Sequence, residues 1–268
     1  MHKAPIIMLG GFRLDLSIVL MLVVTCLIVF IVARMATRRL SVENPGKMQN
    51  FMEWAVEFIR NMISSTMSME KGKHFLALGL TMIMFIFVGN MLGLPFSIVT
   101  DYHDPAKAHI FGQEIVTVTD ELKKSHAEGV GVVWWKSPTA DLGVTMGLAL
   151  VVFLLSHFLG AFKNTKAYFK HYFQPFVFFF PVNIIETLSK LLTHGMRLFA
   201  NIYAGEVLIS TIMGLTKLGI VGTVLSIPLL MAWQGFSIFI GAIQAFVFTI
   251  LMMVYLSQNI ESHEEHEH

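Results

Sequence analysis

Charge is scarce in this sequence. Asp, Glu, Lys and Arg make up 14% of the 268 residues, while 55% are hydrophobic. That balance cannot cover a water-soluble domain of this size, so the chain is read as an integral membrane protein lying in a lipid bilayer. An excess of one sign is missing too. The formal net charge of +1 removes any global electrostatic case for nucleic acid. Cysteine is almost absent. Cys26 is the only one, which excludes an intrachain disulfide, and its place in an apolar run predicts a packed thiol. Nor is there a phosphate-binding glycine loop, a zinc-type Cys/His spacing or a nucleophile elbow. The expectation is therefore no catalytic residue, no metal and no cofactor.

What the sequence does have is long apolar runs. They cover residues 14–33, 74–99, 140–162, 175–215 and 218–257. The first exceeds a typical signal-peptide core, lacks a small-residue cleavage site and runs into Arg34, Arg38 and Arg39, so it reads as a retained span. A crossing needs roughly 20 helical residues. The last two runs are near twice that, so each must be strongly tilted, bent or broken, with Pro181 and Pro228 as natural bend or start points. The predicted fold class is an all-α integral membrane protein of five to six membrane helices, two of them long, tilted and C-terminal. The whole chain forms one membrane domain.

Residues 46–72 behave differently. Met48, Phe51, Met52, Ala55, Phe58, Ile59, Met62 and Ile63 recur at helical spacing, while Gln49, Asn50, Glu53, Glu57, Arg60 and Asn61 take the other face. This predicts an amphipathic helix at the membrane surface or against another subunit. Gly89/Gly93 and Gly143/Gly147 are small-xxx-small pairs and are expected to pack helices.

Basic residues set the orientation. Arg34 to Lys73 is rich in Lys and Arg, residues 100–137 form an acidic loop, and Lys163, Lys166 and Lys170 follow the third span. The N-terminus is then outside, the 100–137 loop extracytoplasmic and the C-terminus cytoplasmic. The tail, 258–268, reads as a hydrated acidic segment.

The fourth run holds Glu186, Lys190, His194, Arg197 and Glu206 at membrane depth. A charge at the bilayer centre costs roughly 3 kcal/mol on insertion scales, so such residues face protein, water or a partner. Glu186, Lys190, His194, Arg197 and Asn201 step by four, four, three and four, which puts them on one stripe of a helix. Glu186 and Lys190 can simply pair with each other. Arg197 has no acid at i±3 or i±4. Glu206 follows nine residues later, half a revolution round and about 13 Å along a continuous helix. The fifth run carries a second polar stripe, Gln234, Ser237, Gly241 and Gln244, suited to interhelical hydrogen bonds or to a hydrated path.

At these residues the sequence resembles a known family. "RLFANIYAGEVL" is similar to the signature of subunit a of the bacterial F-type ATP synthase membrane sector, of a Bacillus-like kind. The likeness extends to "QAFVFTILMMVYLS", "PTADLGVTMGLAL", "NMLGLPF" and "NPGKMQNFMEW", and so to nearly the whole chain. The resemblance implies a proton-translocating stator subunit of the bacterial plasma membrane, set against a rotating ring of c subunits. It implies peripheral-stalk b subunits as further partners, with the F1 sector met indirectly. Two offset half-channels would deliver ions to the ring carboxylates. Arg197 would face the ring and prevent leak. Asn201, Glu206, Ser237 and Gln244 would line the outside-facing path, and Glu186 and Lys190 the inside-facing one. Some relatives place a histidine at Ser237, so a Glu–His relay does not carry over. The competing class is a stand-alone ion-coupled secondary transporter, which would show an internal repeat with matched broken segments. None is visible in the sequence.

Overall fold

In a computed structural model, residues 3–93, 98–104, 108–110, 113–125, 129–163 and 177–261 are described. The C-terminal histidines and acids of the expected tail, 262–268, lie outside them, as do Lys166 and Lys170.

Helix α1 spans Leu16–Thr37. Asp15 caps it, its carboxylate accepting from the Ser17 amide at 2.9 Å and the Ser17 hydroxyl at 2.6 Å. Met21 and Thr25 are buried, one turn apart. Cys26 is exposed, contrary to the expected packed thiol. The helix is apolar all round, so hydropathy carried no information about which face meets protein.

The amphipathic segment is broken. Helix α2 runs Lys47–Ser64 and the single turn α3 runs Met69–Gly72, separated by a bend at 65–68. Ala55, Ile59, Met62 and Ile63 are buried, and Trp54 is 62% exposed while its ring lies 5.8 Å from that of Phe58. Helix α4 covers Leu76–Leu92.

The stretch expected to be a loop holds ordered structure. Strand β3, Val99–Tyr102, pairs antiparallel with β6, Val130–Val133; between them lie the short strands β4, His109–Ile110, and β5, Gln113–Glu114, and helix α5, Val116–Ser125. Ala108, Ile115, Val118, Val130 and Val132 form a small core of their own. An N-terminal hairpin, β1 Ile6–Leu9 and β2 Phe12–Asp15, turns at Gly10 and Gly11, whose φ of 57° and 90° suit the tight hairpin turn that glycine favours. Lys3 joins the hairpin to this cap through backbone bonds to Gly131 and Val133.

Helix α6 runs Leu142–Lys163, α7 Phe180–Gly214 and α8 Ile220–Glu261. Pro181 sits in the first turn of α7, where its missing N–H costs nothing; Pro228 lies inside α8 without ending it. Both long runs are thus continuous helices. At 35 residues α7 is about 52 Å long, well beyond a hydrocarbon core of about 30 Å. Gly219, with a φ of 81°, turns the chain between α7 and α8.

Five helices are long and apolar enough to cross a membrane among the described residues. The core that four of them share with α2 includes Ile59, Ile63, Ile86, Val152, Leu198, Phe248, Met252 and Leu256. Close packing depends on Gly241 of the second polar stripe and on two glycines the pattern did not single out, Gly79 and Gly195. A Cβ on Gly79 would lie 2.5 Å from Met253, one on Gly195 would meet Met146, and one on Gly241 would lie 2.9 Å from Met91. Of the four expected packers, Gly89 and Gly93 press against the Ser137–Pro138 turn, whereas a Cβ on Gly143 would meet only the Asp141 side chain and one on Gly147 would meet open space.

Candidate functional site

The site is built on α7 and α8. Because α7 is unbroken from Phe180 to Gly214, Arg197 and Glu206 stand on opposite sides of one helix. Arg197 is exposed and has no ion-pair partner among the described residues. Glu206 is half-buried, and the charge of Lys136 reaches it. The same ammonium lies 2.8 Å from Asp15, the cap of α1. Glu206 is therefore at the end of the molecule that carries the β-strands, and Glu186 and Lys190 are toward the other end of α7.

Burial divides the expected stripe. Glu186 and Lys190 pair with each other at 2.9 Å, with side chains 60% and 42% exposed. His194 is buried, and its ring stacks on Phe248 with centroids 3.9 Å apart. Arg197 turns outward, while Leu198 is buried against the shared core. One turn beyond Arg197, Asn201 donates to the Gln244 Oε1 at 2.9 Å and closes α7 onto α8. The amide nitrogen of Gln244 is buried with no partner. Ser237 is half-buried and makes no hydrogen bond among the described residues. The structure thus joins Asn201 to Gln244, leaves Glu206 and Ser237 unlinked by any hydrogen bond, and sets the Glu186–Lys190 pair apart.

A family model described as ATP synthase A chain matches residues 18–257. The chain belongs to the ATP synthase subunit a family. It is 44% identical over 263 residues to ATP synthase subunit a of Priestia megaterium, covering 97% of this chain and 98% of that one. Its identity to ATP synthase subunit a of Bacillus subtilis is 46% over 263 residues, covering 95% of each. To that of Lysinibacillus sphaericus it is 45% over 260 residues, covering 97% of this chain and 98% of that one. As a subunit a, the chain is the proton-translocating stator component of the Fo membrane sector. It is not itself catalytic, and it works within a complex that includes a ring of c subunits.

Several residues of this subunit a escaped the sequence reading. Asn90 donates to the Gly241 carbonyl at 3.0 Å and accepts from the Thr139 hydroxyl at 2.6 Å. Thr139 also contacts Ser137 at 2.6 Å, and Ser137 donates to the Gly89 carbonyl at 2.8 Å. This buried knot ties α4 and the turn before α6 to the middle of α8. Its signal was a lone amide in an otherwise apolar span, expensive unless satisfied. Trp233 adds an indole N–H that is buried without a partner; its ring lies 4.0 Å from where a Cβ on Gly205 would be, next to Glu206.

Proposed function

We propose that this subunit couples proton flow to rotation through two offset half-channels that meet the ring at Arg197. The observation that carries the reading is an exposed guanidinium without a partner in a membrane-length helix. A bare cation there is costly unless a partner of opposite charge comes to it. The c-ring carboxylates are that partner. Arginine stays charged at any working pH, and a nearby cation favours the ionised carboxylate, so each ring site gives up its proton beside Arg197. The same charge repels a proton that would leak past it.

Asn201, Glu206, Ser237 and Gln244 line the path from the side of the β-strand cap, and Glu186 and Lys190 border the path from the other. The basic segment 34–73 supports a cytoplasmic first loop, so the N-terminus and the cap are outside and the C-terminus is inside. The α2 face that carries Trp54 and the exposed ends of the spans offer contact to the peripheral-stalk b subunits, and through them to F1. Each elementary charge falling through 100 mV yields about 2.3 kcal/mol, which the offset paths convert into ring rotation.

The test is Arg197→Ala in the whole enzyme reconstituted in vesicles. ATP-driven proton pumping should vanish while the complex still assembles. Undiminished pumping would sink the proposal.

A further inference from the structure

His194 is the one imidazole of α7, three residues before Arg197. It is 2% exposed, and neither ring nitrogen has a hydrogen-bond partner. Phe248 stacks on it at 3.9 Å and Tyr255 meets it edge-on at 5.5 Å. A buried polar group without partners is destabilising, so a retained one calls for a role. Aromatic faces are also the surroundings that hold a cation away from water. The site thus holds an imidazole among aromatic faces with both ring nitrogens uncommitted.

The charges around it supply the timing. Lys190 and Arg197 flank it on α7, with Glu186 one turn further on; His157 of α6 lies within reach of the Lys190 charge; Tyr255 is the titratable group of α8 beside it. Positions three apart on a helix bring their Cβ atoms to about 5–6 Å. While Arg197 is bare, a second cation at His194 is repelled. When a carboxylate arrives and pairs with Arg197, that repulsion is cancelled.

We propose that His194 is the proton-transfer residue on the Glu186–Lys190 side of Arg197. The proposal rests on the reading of Arg197 given above. The carboxyl O–H of the ring site breaks and, across intervening water, an N–H forms on the imidazole. The carboxylate stays with Arg197. The imidazolium N–H then breaks toward water on the Lys190 side and the neutral ring is restored. No electrons change hands. Run in the ATP-driven direction, the same steps reverse and His194 is the donor.

The experiment uses the reconstituted whole enzyme in inverted vesicles, with ATP-driven pumping followed as medium pH varies. His194→Phe keeps the stack on Phe248. It should slow pumping at least tenfold and give a dependence of rate on medium pH that differs from that of the native enzyme. His194→Ala should be slow as well and regain pumping with added imidazole, which should do nothing for His194→Phe. A His194→Phe enzyme with native rate and native pH profile overturns the proposal, as does failure of both variants to assemble, which would make His194 a packing residue. Arg197→Ala is run alongside. If it loses pumping while His194→Phe is normal, only this inference fails; if it pumps normally, the reading of Arg197 fails first.

Discussion

Asn201 reaches across from α7 to hold the Gln244 Oε1 at 2.9 Å, and this bond lies one turn beyond an arginine with nothing to hold. The two amides join the long helices one turn from Arg197. Interhelical bonds of this kind are worth about 0.6 kcal/mol on average within membranes. Asn201→Leu and Gln244→Leu should therefore leave the subunit in the membrane. Each should lower ATP-driven pumping several-fold, and the double variant should be little worse than either single one. Strictly additive losses in that cycle would show that the bond is not the shared element.

Glu206→Gln should be milder than loss of Arg197. Glu206 makes no side-chain hydrogen bond among the described residues and feels Lys136 through charge alone, so water around it can carry part of its task. Pumping should drop several-fold without disappearing. A complete loss matching Arg197→Ala would mean that Glu206 meets the ring carboxylate directly.

Cross-linking tests the opposed faces. Cys26 is exposed and must first be changed to serine. Thr193 and Ala204 share the Arg197 side of α7 and are exposed, whereas Ile202 and Ile209 share the Glu206 side and are half-buried. Cysteines at the first pair should bond to cysteines in a c subunit, and those at the second pair should not. The reverse pattern would overturn the assignment of faces.

The knot around Asn90 gives a stability prediction. Asn90→Ala removes two buried hydrogen bonds, the one to the Gly241 carbonyl and the one from the Thr139 hydroxyl; hydrogen bonds of this kind are worth about 0.5–1.5 kcal/mol each. Gly241→Leu drives a side chain into Met91 and Asn90. Both variants should reduce the amount of assembled subunit in the membrane. Normal amounts of both would show that the knot can be dispensed with.

Where the sequence was informative, helical period made it so. The half-turn between Arg197 and Glu206 needs only 3.6 residues per turn and an unbroken helix, and α7 supplies the second condition. The doubled runs announced excess length, but whether they broke at Pro181 or Pro228 depended on neighbours that local pattern does not contain. Cys26 was misjudged because α1 is apolar on every face, so burial there is decided by which helices lie beside it. The cap between Val99 and Val133 was hidden because its strands are two to four residues long and its outer pair, β3 with β6, meets across about thirty positions. Asn90 and Gly241 meet across 151 positions, a link no local window can hold.

The Asn90 knot also has a mechanical meaning. On the proposed reading the ring bears on α7 and α8, and a hairpin held only by greasy contacts would creep sideways under that load. The bond from Asn90 to the middle of α8, itself braced by Thr139, would act as a rivet, passing shear into α4 and on toward the Asp15–Lys136 clasp at the capped end. The buried amides and hydroxyls around Asn90 would then stiffen the stationary half of the motor right beside the polar stripe of Ser237, Gly241 and Gln244.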